Sequence, residues 1–354
     1  MNPAQLPVIR LWPEIKRNLL IYALALGLAF GILSLIVALL GFDVPTALKT
    51  LVGTSFKSKF GFQETIKKTI PLIFTTYAFA IPFKIRFFNI GGWGQMVAGG
   101  TFSAILGLSL AGVNLPATVM IPLLLIAGLI GGAVYSFIAG FLQANYSINP
   151  IISTIMLNFV AVLFVNFFAT TEPWRDPMEG HPITKHLPAA AIMKPITSGV
   201  PSSLIFALLA IIFVYLLMTK TRLGYEITAV GYNLYSAQAY GINYKKTIIL
   251  TFVIGGALAG LGGALEILTI HRKLIEGFEF TSGAQFGMFG ILTALICVGN
   301  PLGVPIAAFF MSVLLVGADA LQRTMQIPVE LVFVSQALIV LILVVFRQRM
   351  EANK

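Results

Sequence analysis

Phe88-Asn89-Ile90-Gly91-Gly92-Trp93-Gly94-Gln95 interrupts a chain otherwise built from long apolar runs. The stretch carries two amides and three glycines where a simple membrane helix would carry leucines. Glycine lets a backbone bend or come close to a neighbour. Amides at membrane depth need partners, so they face protein or a water-filled path. A segment of this kind suits a transport machine better than a membrane anchor.

The rest of the chain sets its context. Of its 354 residues, 58% are hydrophobic and 10% charged, against about 25% charged in an ordinary soluble domain. Its 28 Phe and 33 Gly fit the enrichment of aromatic and glycine residues in membrane helices. The apolar runs are continuous rather than alternating, which argues against a β-barrel. The expected fold class is an all-α polytopic membrane protein with about ten transmembrane helices, some broken or re-entrant. The spans fall near 19–41, 69–83, 91–112, 117–140, 151–170, 202–219, 247–270, 282–300, 302–318 and 329–346. The third is expected to start as a broken or re-entrant piece. Asn300-Pro301-Leu302-Gly303 is a turn signal between the eighth and ninth.

Residues 1–18 form an N-terminal segment, whose Trp12, Lys16 and Arg17 among apolar residues suit the membrane interface. Residues 19–346 form one membrane domain, and 347–354 a tail. An even span count places both termini on one side. The basic residues favour the cytoplasm, although Lys49, Lys57, Lys59, Lys67 and Lys68 in 42–68 pull the other way. The proline-rich, charge-balanced segment 171–201 reads as an external cap. The segment 220–246, basic at both ends, reads as an inside loop holding a short helix along the membrane surface.

The net charge of +10 reflects basic loops facing lipid head groups or protein partners rather than nucleic acid. The single Cys297 excludes an intramolecular disulfide. Two small-residue stripes recur every four positions: Gly128, Gly132, Ser136, Gly140 and Gly256, Gly260, Ala264, the latter flanked by Gly255, Ala259 and Gly263. Such stripes let membrane helices pack backbone to backbone; a part in motion is the other reading.

No G-x-x-x-x-G-K-[ST] occurs, so the chain has no P-loop for ATP hydrolysis. No zinc-protease or nucleophile motif is present. His181, His186 and His271 are placed in external loops and read as bystanders, with no metal site. The polar residues at membrane depth are few. Asn89 and Gln95 flank the opening motif, Ser153, Thr154 and Asn158 share a face of the fifth span with Asn166 further along, and Glu266 is the one acid deep in an apolar run. Glu266 reads either as functional or as a structural acid near a helix end. Phe88, Trp93 and Phe159 either stack on a ring-shaped solute or contact lipid and core. Amides and hydroxyls without fixed charge suit an uncharged polar solute.

The opening stretch resembles the FNIG-x-x-GQ signature of bacterial ATP-binding-cassette permeases for nucleosides and simple sugars, within the branched-chain amino acid and ribose permease superfamily. Ser153 to Asn158 resembles the TIMLN segment of that family. Arg222-Leu223-Gly224 through Ala229-Val230-Gly231, then Ala237 to Ile242, resembles its cytoplasmic coupling region. Gly256 to Glu266 and Asn300 to Gly303 also match in kind and order. The TIMLN form is closer to the nucleoside branch than to the ribose branch. The sequence departs where the family carries a small residue and an acid and this chain has Gly92 and Trp93, and again at Tyr232-Asn233-Leu234-Tyr235-Ser236.

The resemblance implies a transmembrane permease subunit of an importer in the bacterial cytoplasmic membrane, without its own ATPase or cofactor. ATP and Mg2+ would be bound by a cytoplasmic ATPase partner. That ATPase would dock on the coupling loop, with Arg222, Gly224, Glu226, Ala229, Gly231, Ala237, Ala239 and Gly241 as its residues. A second related permease subunit or another copy of the chain, and an external solute-binding protein, would complete the complex. The substrate path would draw on Phe88, Asn89, Trp93, Gln95, Ser153, Thr154, Asn158 and Glu266, and the solute would be a nucleoside. Alternatives are a permease for a simple sugar such as ribose or for branched-chain amino acids, and, from another class, a stand-alone secondary transporter or channel.

Overall fold

The computed structural model describes residues 27–28, 30–275, 284–297, 300, 303–328, 330–331, 333–334, 337–338 and 341–342. Among the described residues the regular structure is helical, and β pairing is confined to three isolated bridges. The helices are α1 (Phe30–Leu39), α2 (Val44–Lys57), α3 (Lys59–Phe83), α4 (Gly92–Ser109), α5 (Ala117–Tyr146), α6 (Pro150–Thr170), α7 (Ser203–Lys220), α8 (Arg222–Tyr232), α9 (Leu234–Ala239), α10 (Tyr244–Glu266), α11 (Ala284–Cys297) and α12 (Val304–Met325). A π-helical turn, Ile267–His271, extends α10.

Among the described residues, five helices are long and apolar enough to cross a bilayer: α5, α6, α7, α10 with its π turn, and α12. They coincide with the fourth, fifth, sixth, seventh and ninth expected spans. The second and third spans are helical as well, in α3 and α4. Lys59, Glu64, Lys67 and Lys68 lie in the first part of α3, and α4 is rich in glycine and polar residues. The first and eighth spans are described only in part, where the apolar helices Phe30–Leu39 and Phe286–Cys297 lie. The tenth is described only in part, and the segments 1–18 and 347–354 lie outside the described residues. The turn after α11 is present, with Gly303 N–H donating to the Asn300 carbonyl at 3.0 Å.

The chain divides into two compact units, one combining 1–62 with 313–354 and the other being Gln63–Ser312. In the first, Asp43 caps α2 by accepting from Thr46 N–H at 2.9 Å. Helix α2 then buries Ala47, Leu51 and Ser55, one residue per turn, and Gly317 closes directly on the Leu51 carbonyl.

The core of Gln63–Ser312 is the junction of α4, α5 and α10. A Cβ on Gly260 would lie 2.7 Å from the Gly132 Cα and still closer to the Gly128 carbonyl oxygen. A Cβ on Gly99 would run into the Gly260 backbone, and one on Gly256 into Ser136. Ser136 Oγ donates to the Phe252 carbonyl at 2.7 Å, so one polar bond pins α5 to α10 beside the glycines. Both small-residue stripes thus meet each other, as their spacing requires. Tyr135 hydroxyl donates to the Leu157 carbonyl at 2.5 Å and ties α6 to the other side of α5.

Replacing Gly260 by Val forces backbone apart from backbone, with no flexible side chain able to yield. Overpacking of this kind costs about 1–3 kcal/mol or more. Gly260→Val is expected to lower the thermal unfolding midpoint of the detergent-solubilised protein, whereas Gly112→Val, where a Cβ meets nothing within 4 Å, is expected to leave it unchanged.

Candidate functional site

Helix α3 ends at Phe83, just after Pro82, and α4 begins at Gly92. Between them the chain turns through Ile85 N–H to the Pro82 carbonyl at 3.1 Å and Arg86 N–H to the Phe83 carbonyl at 3.0 Å. Arg86 takes a left-handed φ of 63°. The broken start expected for the third span is this bend.

Asn89 is buried within it. Its Nδ2 donates to the Ala78 carbonyl at 3.0 Å and to Gln95 Oε1 at 3.1 Å. Its Oδ1 accepts from Gly91 N–H at 3.1 Å and from Gln95 Nε2 at 2.9 Å. The two amides of the motif therefore recognise each other reciprocally. Asn158 on α6 closes the arrangement from across the bend: its Oδ1 accepts from Gly94 N–H at 2.9 Å and its Nδ2 donates to the Ile90 carbonyl at 3.1 Å. Glycine is required at two of these positions. A Cβ on Gly91 would lie 2.8 Å from Gln95 Nε2, and one on Gly94 2.6 Å from Asn158 Oδ1.

Ser153 and Thr154 return their hydroxyls to the first turn of α6, donating to the Pro150 carbonyl at 3.3 and 2.6 Å. Thr154 also backs onto Gly91. Phe88 is 40% exposed and meets Phe79 and Phe83 edge-on at 5.8 and 5.3 Å between ring centroids. Trp93 is partly buried, and its backbone presses on Gly287 of α11, where a Cβ would lie 2.8 Å from the Trp93 Cα. Its Nε1 is buried with no hydrogen-bond partner among the described residues. Phe159 lies exposed on α6.

Glu266 lies apart from the bend, buried at the end of α10, with His271 Nε2 3.7 Å from its Oε2. His271 was expected in a loop; the π turn instead carries α10 five residues further and brings the ring back onto the acid. The segment 171–201 packs along this same end. Thr184 N–H donates to the Leu274 carbonyl, Leu274 N–H to Thr184 Oγ1, Leu187 N–H to the Arg272 carbonyl and Met193 N–H to the Leu268 carbonyl, all at 2.9–3.0 Å. Among the described residues no group of three His, Cys, Asp or Glu side chains could hold a metal ion.

The expected surface helix in 220–246 is two helices, α8 and α9. Thr221 caps α8 by accepting from Gly224 N–H at 3.1 Å, and Asn233 caps α9 by accepting from Ser236 N–H at 3.1 Å. Helix α8 is amphipathic, and Ile227, Val230 and Ala237 are buried with Ile85, Ala139, Ile248 and Phe252. Arg222 Nε bonds Glu226 at 2.9 Å on the exposed side. Gly224 sits against the Leu217 and Met218 carbonyls, and Gly231 closes directly on the Lys84 carbonyl. Ala229 is half-buried, while Ala239 and Gly241 are exposed, Gly241 with φ 81°.

Two features of this region were not legible beforehand. The Gly231–Lys84 contact places α8 directly on the first turn of the bend, although Gly231 and Lys84 are far apart in sequence. Tyr225, Tyr232, Tyr235 and Tyr240 all point outward, at 69%, 82%, 81% and 88% exposure. The density of tyrosine in this amphipathic stretch is the available signal for that surface.

Residues 62–346 match the model of the branched-chain amino acid transport system permease component, and the chain belongs to this permease family. It is 32% identical to the nucleoside ABC transporter permease protein NupB of Lactococcus lactis subsp. cremoris, over 93% of this chain and 91% of that one. It is 31% identical to the guanosine ABC transporter permease protein NupP of Bacillus subtilis, over 90% of both. Against the glucose ABC transporter permease protein TsgB13 of Haloferax volcanii the identity is 31%, over 90% of this chain and 84% of that one.

Asn158→Leu removes the partners of two buried backbone groups, Gly94 N–H and the Ile90 carbonyl. Each orphaned group costs about 1–3 kcal/mol. The variant is expected to unfold at a lower temperature than wild type in a detergent thermal-shift assay. In the same assay Asn89→Leu and Gln95→Leu are expected to be non-additive, the pair costing less than the two singles together.

Proposed function

We propose that the chain is the membrane permease subunit of an ATP-driven importer that carries nucleosides. The observation that carries this reading is the full-length similarity to permeases named for nucleosides and guanosine, each spanning at least 90% of both chains. In this reading about ten helices cross the bacterial cytoplasmic membrane with both termini inside. Segment 171–201 then caps the outer side and α8–α9 face the cytoplasm. A solute-binding protein delivers substrate to the outer side, and a second permease, either related or another copy, completes the path. ATP and Mg2+ act in the partner ATPase. The family membership and the absence of a P-loop support a division of labour in which this chain moves solute and another hydrolyses nucleotide.

Phe88 and Trp93 form the wall of the path at the bend, and the buried indole N–H of Trp93 is a donor available to a solute carbonyl or ring nitrogen. Asn89, Gln95, Asn158, Ser153 and Thr154 hold that wall in place through bonds within the chain. Glu266 holds the outer end of α10 under the cap, with His271. Helices α8 and α9 receive the ATPase. Their buried face is anchored in the core, so a push on the exposed tyrosines moves them as a body. Because Gly231 rests on Lys84, that push reaches the bend and, through Asn158, α6.

A simple sugar is the second reading, favoured by the equal identity to the glucose permease. Purification of the intact complex separates the two. The expected result is co-purification of a P-loop ATPase and a binding protein, with uptake into liposomes competed by unlabelled guanosine or uridine and not by glucose or ribose. Competition by sugar alone would replace nucleoside with sugar. Flux without any ATPase, following an ion gradient, would overturn the importer.

Gly231→Ala tests the contact between α8 and the bend. The expected outcome is retained ATPase co-purification with solute uptake per ATP hydrolysed reduced severalfold, because α8 must lift off Lys84 to admit the methyl group. Tyr232→Ala combined with Tyr235→Ala is expected to do the reverse and weaken ATPase retention itself, since exposed aromatic residues dominate binding energy at such interfaces.

A further inference from the structure

A cavity of about 330 Å³ lies between α5, α7 and α10 and plays no part in the bend or in α8–α9. Helix α7 contributes Phe206, Leu209, Ala210 and Phe213, and α10 contributes Ile254, Ala257, Leu258 and Leu261. Both sets follow the i, i+3, i+4, i+7 spacing of one helix face. Leu129 of α5 closes the third side. The slot follows from the packing. Glycines draw α5 and α10 into backbone contact, while Phe206 and Phe213 prop α7 away, and the small Ala210 and Ala257 leave the space between them hollow.

All nine lining side chains are apolar. Water needs two to four polar partners to occupy a cavity, so it gains nothing here, and neither does a nucleoside or a sugar. All three helices are long and apolar enough to cross the bilayer, so the medium around the slot is hydrocarbon. Charge favours one kind of lipid. The end of α7 and the start of α10 come together on one side, where Met218 and Ile248 share a hydrophobic cluster. Lys220, Lys245 and Lys246 are all exposed at that side. Lys220 lies seven residues beyond Phe213 and Lys246 eight before Ile254, which is about 10–12 Å along a helix at ~1.5 Å per residue. A lipid with its phosphate at these lysines reaches the slot with its acyl chain, within the ~15 Å depth of one leaflet.

We propose that this slot binds one acyl chain of an anionic phospholipid whose head group is held by Lys220, Lys245 and Lys246. Bound there, the lipid fixes the stance of α7, on whose last turn α8 is seated through Gly224. The site depends on the chain being embedded in a membrane and not on which solute it carries.

The test uses the intact permease in nanodiscs containing a trace of phosphatidylglycerol with a diazirine in its acyl chain. A parallel preparation carries phosphatidylcholine with the same chain, and crosslinks are mapped by mass spectrometry. Labelling is expected to concentrate on the slot residues. It is expected to fall about tenfold or more with phosphatidylcholine or in the Lys220→Gln, Lys245→Gln, Lys246→Gln variant, each lysine contributing substantially near an anionic surface. Ala257→Phe fills the slot and is expected to abolish the labelling, while Leu208→Phe, on the outward side of α7, leaves it intact. Equal labelling of Leu208 and Leu209 with both lipids would mean unspecific surrounding lipid and overturn the proposal, as would labelling that leaves the slot residues out. If Ala257→Phe does not fold, the lysine variant and the comparison of the two lipids still decide.

Discussion

Backbone against backbone at Gly99, Gly128, Gly132 and Gly260 is the contact on which the unit Gln63–Ser312 depends. In a bilayer, burying apolar surface between helices gains little, because the lipid tails are as apolar as the side chains. What holds α4, α5 and α10 together is dispersion at short range and the hydrogen bonds that short range permits. Ser136 reaches the Phe252 carbonyl only because the helices lie so close. The same closeness fixes the position of α4, whose first turn carries the bend, and leaves α7 standing off at the side.

A polar group inside such a bundle is costly without a partner, since no bulk water is available, and the amides of the bend find theirs within the chain while the indole N–H of Trp93 does not. That requirement explains the opening stretch better than flexibility does. Asn89 and Gln95 answer each other, Asn158 answers the Ile90 carbonyl and the Gly94 N–H, and the glycines are the spaces that let the amides in. The bend is therefore a rigid joint between α3, α4 and α6. Helix α8 leans on the near side of that joint through Gly231 and Lys84. In the proposed function, this contact is the route by which a push on α8 would reach the bend.

Much of this was legible in the amino-acid order. The apolar runs marked the five bilayer-long helices among the described residues, the four-residue stripes marked the faces that meet at the glycine junction, and the polar interruption marked the bend. Thr221 and Asn233, the residues that cap α8 and α9, stand in the segment expected to hold a surface helix. His271 was misplaced because nothing in its neighbours announces a π turn, which widens a helix without changing its hydropathy. The docking of 171–201 along 268–275 was hidden because it rests on backbone groups, which every residue carries.

By itself the sequence determined the membrane class, the positions of the apolar helices, the small-residue faces and the motif series of the permease family. These are local properties, set by hydropathy, by helical period and by residue type at fixed spacing. Only the tertiary structure decided that the amides of the motif are paired with each other, that Asn158 lies across from Gly94 at 64 positions' remove, and that Gly231 meets Lys84. The same holds for the slot between α7 and α10. A polar or small side chain states that it needs a partner or a close neighbour, but which one it meets depends on how the helices cross, and no single segment contains that information.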